Sequence, residues 1–246
     1  MNGFNRIFTD TAELAEPALR GAIEELAELR RRFAAMGLPL RCDHARDWEH
    51  ARVLCEVDAM AAGGVRAILD VGGGNSALAW VLVRRGHRVC VLDPDRAATA
   101  AVASTSRSLH WGHRVTVAEP IGGVWPVGDA AFDLAVCVSV FEGILRRDRP
   151  RFFGELRRVL RPGGDVLLTF DFGHDARFLG DAPATIAEVE RDIVSPSGLR
   201  LVGLPLSAPR FDATHPPPVC GFASDAAGHR QPIAYTFAAL HLQRDD

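Results

Sequence analysis

Residues with chemical potential crowd into one stretch, Asp70-Val-Gly-Gly-Gly-Asn-Ser76, and its continuation to Asp93. Three consecutive glycines give the backbone dihedrals closed to other residues and let a ligand approach the chain closely. A helix starting after such a turn offers unpaired N–H donors in its first turn. A carboxylate at the end of the next strand can accept both hydroxyls of a ribose. Together these features suit a nucleoside-bearing ligand. Further along, Glu119 and the run Ser139-Val-Phe-Glu142 each follow an apolar segment, and Asp171, His174 and Asp175 form the densest titratable group outside the glycine stretch. His44, Trp48 and Arg52 are spaced one helical turn apart, so they can share a face.

The elements that must position these residues alternate in type. The apolar run Val65 to Val71 reads as a strand that stops at the glycines. Leu78, Ala79, Leu82 and Val83 then recur at helical spacing, Gly86 ends that helix, and Arg88 to Leu92 is a second strand closed by Asp93. Pro94-Asp95 opens a helix of small residues through Ser106. Arg114 to Ala118 is a third strand ending at Glu119, and Ala131 to Ser139 a fourth. A helix over Pro150 to Leu160 turns through Arg161-Pro-Gly-Gly164 into a fifth strand, Val166 to Phe170. On this reading Asp171 to Gly180 follows the strand and overhangs the ligand. Asp181 caps a helix running to about Asp192, with Pro183 in its first turn. Leu199 to Leu204 and Ile233 to Leu242 are the last strands. The link between them, about 205–232, is rich in Pro, Gly, Asp and Ser, and a link of that length is often a functional lid or a mobile insert. Ahead of all this, residues 1–64 read as two helices, one after Pro17 and one from about Asp43 to Ala62. The class is α/β.

Composition narrows the partners. A 246-residue chain with 48% hydrophobic and 24% charged residues has the profile of a soluble globular protein with a sizeable core. Its net charge of −3 gives no general attraction to nucleic acid or anionic membrane. All 28 basic residues are arginine, and those at 146–151, 157, 158 and 161 read as a solvated helix surface. The five cysteines are scattered without a C-x-x-C spacing, which points away from a zinc site or a disulfide framework; no metal is expected. Cys90 and Cys137 fall within expected buried strands. No leader-like or membrane-spanning run is visible, so the expected location is the cytoplasm.

The motifs admit two nucleotide cofactors. Gly72-x-Gly74-x-x-Ala77, with Asp93 19 residues beyond Gly74, satisfies the loose dinucleotide fingerprint. With Asp70 included, however, the stretch resembles the first motif of class I (Rossmann-like) S-adenosylmethionine-dependent methyltransferases, acid-x-Gly-x-Gly-x-Gly, with Ser76 in place of the third glycine. Ala131-Phe-Asp-Leu-Ala-Val-Cys-Val-Ser139 resembles the fourth motif of that family. Ser139-Val-Phe-Glu-Gly143 resembles its frequent Ser-x-x-Glu-His, with Gly143 replacing the histidine. Arg158-Val-Leu-Arg-Pro-Gly-Gly164 is similar to its RVLKPGG turn.

The resemblance covers about residues 65–243 and implies a seven-stranded, doubly wound, mostly parallel sheet. Its order would be 3-2-1-4-5-7-6, with strand seven antiparallel, preceded by an N-terminal helical cap or lid over 1–64 and completed by a single domain over 65–246. It implies S-adenosyl-L-methionine as cofactor. Gly72, Gly73, Gly74 and Asn75 would hold the methionine half, Asp70 would lie near its amino group, Asp93 would bind the ribose and Glu119 would approach the adenine. Pro94 and Ser139 complete the set. The activity implied is methyl transfer to oxygen or nitrogen of a small molecule. A hydroxyl acceptor would also need a base, for which His174 and His44 are candidates, with Asp171 as an orienting group. Nothing resembles the Asn-Pro-Pro-Tyr motif of nucleic-acid methyltransferases, membrane association is not expected, and a homo-oligomer is compatible with the sequence. Two alternatives stand beside this reading. One is a protein that binds S-adenosylmethionine without transferring methyl. The other is an NAD-dependent oxidoreductase, for whose substrate domain the C-terminal third leaves little room.

Overall fold

The computed structural model describes residues 3–38, 40–41, 46–60, 64–173, 181–212, 214–224 and 230–245. Among these residues nine strands form one sheet: β1 (Arg6–Ile7), β2 (Ala67–Val71), β3 (Arg88–Leu92), β4 (Val115–Ala118), β5 (Phe132–Val138), β6 (Leu160–Gly173), β7 (Arg200–Leu201), β8 (Val219–Ser224) and β9 (Arg230–Gln243). Helices α1 (Pro17–Ala35), α2 (Asp47–Met60), α3 (Ala77–Arg84), α4 (Arg96–Ser108) and α5 (Arg149–Val159) cover it. The path across the sheet is β4-β3-β2-β5-β6-β9. β2, β3, β4, β5 and β6 are parallel, and β9 runs antiparallel to β6. The class is α/β as expected, and the order 3-2-1-4-5-7 is in place, whereas the outer edge of β9 departs from the expected single strand six.

Burial on both faces explains the near-continuous apolar composition of the central strands. Alternation divides their side chains between two cores. Ile68, Leu134, Val136 and Leu167 pack toward Leu26, Trp48 and Trp80 of α1, α2 and α3. Leu69, Val71, Ala135, Cys137, Leu168 and Phe170 pack toward Phe153 and Leu156 of α5. Cys90 and Cys137 are buried free thiols, as expected, and burial raises both above the ordinary thiol range.

Several expectations are corrected. Strand six shrinks to the two residues of β7, because Val202 N–H still bonds His241 O (2.9 Å) but Gly203 then turns the chain at φ +83°. Two unexpected strands, β1 and β8, share the outer edge of β9 with β7, all antiparallel to it. β8 also gives structure to part of the 205–232 link. Asn5, just before β1, fastens this edge: its Nδ2 donates to Val202 O and Leu204 O, and its Oδ1 accepts from His241 N. β6 continues to Gly173, so Asp171 is a strand residue and not part of an overhanging loop.

The helix expected from Asp181 instead begins at Ile186 and is capped by Thr185, whose Oγ1 accepts from Glu188 N. Gly173 N donates to Pro183 O, so that segment lies against the strand end. Asp181 is used by two arginines, as an ion-pair partner of Arg146 and a carbonyl acceptor for Arg149. The arginines near α5 are ties more than a solvated surface. Arg149 is buried with its guanidinium 4.1 Å from the Phe141 ring centre, and Arg158 donates to Trp125 O, Val127 O and Glu155. Of the face predicted for α2, Trp48 and Arg52 are packing residues: Arg52 sits over the Trp48 ring and donates to Gly3 O and Phe4 O. His44 lies outside the described residues.

A buried histidine on β9 yields a stability prediction. Burial alone would lower His241, but hydrogen bonds to Asp165 (2.9 Å) and Glu56 raise it to about 9. A pKa raised on folding contributes stability that is complete below the unfolded value near 6.5 and lost as pH rises through the folded value. Urea denaturation should therefore show stability falling between about pH 6.5 and 9, and His241→Gln should flatten that slope.

Candidate active site

The glycine turn joins β2 to α3 and is fixed from three sides. Gly72 has φ +68° and donates to Leu92 O at 2.7 Å, tying the turn to the end of β3. A Cβ on Gly72 would lie 2.3 Å from Val140 Cγ2, and one on Gly73 would lie 2.1 Å from Asp70 Oδ2. Gly74, at φ +51°, donates to Asp93 Oδ2 at 2.9 Å. Ser76, the departure from the third glycine, is the N-cap of α3 with φ −83°, where a side chain carries no backbone strain. The Asn75 carbonyl accepts from Arg41 N at 2.9 Å.

Two carboxylates flank this turn. Asp70 is 1% exposed, and its Oδ2 has no hydrogen-bond partner among the described residues. Burial, and secondarily the charge of Asp93, raise it to about 7. Asp93 is also buried; its Oδ2 accepts from Gly74 N and its Oδ1 from Asp95 N (2.8 Å). A carboxylate has about four acceptor positions, so each oxygen of Asp93 keeps capacity for a ligand hydroxyl. Pro94 follows it on the surface. Glu119 follows β4, where Thr99 Oγ1 donates to its Oε1 (2.8 Å) and Arg96 pairs with its Oε2 (3.3 Å). Both partners come from α4 or its first turn, so Glu119 also braces that helix.

Beyond the turn lies a polar network that the sequence did not announce. Ser139, at φ +48°, ends β5 and donates from Oγ to Glu49 Oε1 at 2.6 Å. Arg46 donates to Ser139 Oγ, to Asp171 Oδ1 and to Glu49 Oε2. Its guanidinium also lies 5.1 Å from the Phe237 ring centre. Burial would lower Arg46, but Glu49 and Asp171 outweigh it and raise it. Glu49 has no solvent exposure and is raised to about 7 by burial, which overcomes the opposing pull of Arg46 and Ser139. Asp171 therefore faces Arg46 in the described structure, and His174, the base it was expected to orient, lies outside the described residues. Arg46 and Glu49 are the network residues without an assigned role in the sequence reading. Their one local signal is the i, i+3 spacing of Arg46 and Glu49.

A cavity of about 100 Å³ is enclosed by Arg41, Arg46, His50, Asp70, Gly72 and Ser139, among others. Ligand pockets usually occupy roughly 300–1,000 Å³. The cavity can thus take one end of a ligand. A larger cavity of about 480 Å³, lined by Phe172, Ile186, Pro209, Phe211 and Pro217 among others, shares no lining residue with it.

A doubly wound sheet whose first βα turn is glycine-built and flanked by acids is consistent with a class I, Rossmann-like S-adenosylmethionine-dependent methyltransferase. Residues 69–168 match the family model described as a methyltransferase domain. An uncharacterized methyltransferase from Mycobacterium sp. (strain KMS) is 30% identical over 134 residues, covering 49% of this chain and 48% of the relative. A probable non-canonical nonribosomal peptide synthetase, CymA, from Salinispora arenicola is 25% identical over 133 residues, covering 54% of this chain and 2% of the relative. The chain therefore spans at most about half of these curated relatives. In fold it is similar to a 1,6-didemethyltoxoflavin-N1-methyltransferase from Burkholderia thailandensis, solved with S-adenosylhomocysteine bound. The TM-score is 0.56 at 15% identity, over 98% of this chain and 95% of that one.

S-adenosylmethionine is the family's cofactor, and the residues present fit it. Asp70 offers a buried carboxylate oxygen without a donor among the described residues, Gly72 and Gly73 leave no room for a Cβ, and Asp93 is already oriented by two backbone N–H groups. No described helix is long and apolar enough to cross a membrane.

Proposed function

We propose that this chain transfers the methyl group of S-adenosylmethionine to an oxygen or nitrogen of a small-molecule acceptor. The observation that carries the reading is the pairing of Asp70, buried beside the turn with an unpartnered oxygen, with Asp93, oriented by Gly74 and Asp95. In this reading the backbone from Gly72 to Asn75 holds the methionine half and Asp70 receives its ammonium group. Asp93 accepts the ribose hydroxyls, and Glu119, steadied by Thr99 and Arg96, borders the adenine. The cofactor supplies an activated methyl group, so the protein's task is chiefly to align a nucleophile with it. The N-terminal helices act as a cap: Arg46 and Glu49 at the start of α2 reach Ser139 and Asp171 at the ends of β5 and β6.

Release of labelled methyl to a panel of small hydroxyl and amine compounds tests the proposal. Transfer to at least one class supports it, whereas saturable cofactor binding with no transfer across the panel favours a binding protein without methyltransferase activity.

Asp70 supplies a second measurement. A cationic ligand favours its ionised form, so binding at pH 6.5 should release a proton and affinity should rise between about pH 6 and 8. Calorimetry of S-adenosylmethionine in buffers of different ionisation enthalpy reads the proton directly, and Asp70→Asn should abolish the release.

A further inference from the structure

We infer that the acceptor, in the methyltransferase reading on which this inference rests, enters as a cationic amine received by Glu142. Three carboxylates, Glu49, Glu142 and Asp171, act on the single guanidinium of Arg46. That guanidinium is hydrogen-bonded to Asp171 Oδ1, Glu49 Oε2 and Ser139 Oγ. Glu142 is the acid left over. Its Oε2 is buried and has no hydrogen-bond partner among the described residues, an arrangement that costs free energy until a donor arrives.

Position supports the role. Glu142 lies in the short turn Phe141–Gly143 after β5, two residues beyond Val140, whose side chain packs against Gly72. Ser139 lines the cavity and Val140 meets the glycine turn, so Glu142 belongs to the loop that borders both. Charge supports it as well: among the described residues Arg46 faces three carboxylates, and an incoming ammonium is attracted to that acidic excess where an anion is repelled. Burial, then the charges of Asp171 and Glu49, push Glu142 well above the ordinary carboxylate range, which suits it to take a proton as well as a hydrogen bond. In that step the ammonium N–H bond breaks, its electron pair stays on nitrogen as the lone pair needed for attack, and Glu142 becomes the neutral acid.

The test is ligand-observed NMR with protein saturated by S-adenosylhomocysteine, using 2-phenylethylammonium and 2-phenylethanol as matched probes. The wild type should bind the ammonium about tenfold or more tightly than the alcohol, as expected for one charge-assisted hydrogen bond. Glu142→Gln should bring the two within about twofold, and Glu142→Asp should restore part of the preference. S-adenosylhomocysteine affinity, measured by calorimetry, should stay within about twofold in all three proteins, which also reports that the variants are folded. Equal binding of the two probes by the wild type, or an undiminished preference in Glu142→Gln, overturns the inference while leaving the methyltransferase reading intact. Failure of the wild type to bind S-adenosylhomocysteine would instead overturn the parent reading.

Discussion

Asp93→Ala is expected to weaken binding of S-adenosylmethionine by about a hundredfold or more. The carboxylate does two things at once. It fixes the turn by accepting from Gly74 N, and it presents its remaining acceptor positions to the ribose. Each charge-assisted hydrogen bond lost costs about 1.5–3 kcal/mol, so two ribose contacts alone account for the factor. Asp93→Asn should also bind weakly, because its NH₂ group would face the N–H of Gly74 or Asp95. Asp95→Ala is the informative neighbour. Asp95 caps α4 through Ala97 N and Ala98 N and faces solvent, so its loss should cost about 1 kcal/mol of stability while affinity changes little. Calorimetric titration of the three variants separates ribose recognition from damage to the helix.

Gly72→Ala should be nearly as severe for affinity and more so for stability. The added methyl would stand 2.3 Å from Val140 Cγ2, at a φ of +68° that L residues rarely adopt. Overpacking and left-handed backbone together predict a loss of about 2–4 kcal/mol. The displaced turn would also misalign the N–H donors that follow it, and a shift of about 1 Å can cost around a hundredfold in a positioned reaction. Gly86→Ala separates these causes. Gly86 has φ +98° at the end of α3, but a Cβ there would meet nothing within 4 Å. It should lose stability without losing affinity. Gly72→Ala combined with Val140→Ala should recover part of the affinity, because the clash is removed while the backbone strain remains. Thermal unfolding and calorimetry on the same samples read both quantities.

The contrast between the legible and hidden parts of this molecule follows the range of the interactions. The turn from Asp70 to Ser76 and the strand closing at Asp93 could be read because their signals are local: apolar periodicity, consecutive glycines and an acid at a strand end. The parallel strands were legible for the same reason, since burial on both faces writes itself into Val, Ile and Leu runs. β1 was not, because two residues make no period, and its place on β9 is set by pairings more than 200 residues away. Thr185 and Asp181 are both good N-cap residues, and the ion pair of Asp181 with Arg146 and the bond of Gly173 N to Pro183 O decide between them. The network of Arg46 with Ser139 and Asp171 spans 93 and 125 residues of sequence. No local pattern announces that charged residues in the first turn of α2 close over the ends of β5 and β6. The arginines around α5 mislead in the opposite sense, since a run of charge suggests solvent where Arg149 and Arg158 are committed to protein carbonyls.

Calorimetric titration of the unmodified chain with S-adenosylhomocysteine and, in parallel, with NAD tests the central claim most directly. The account predicts saturable one-to-one binding of S-adenosylhomocysteine, weakened about a hundredfold or more by Asp93→Ala, and no binding of NAD. Preferential binding of NAD, or no heat from either nucleotide, would contradict it.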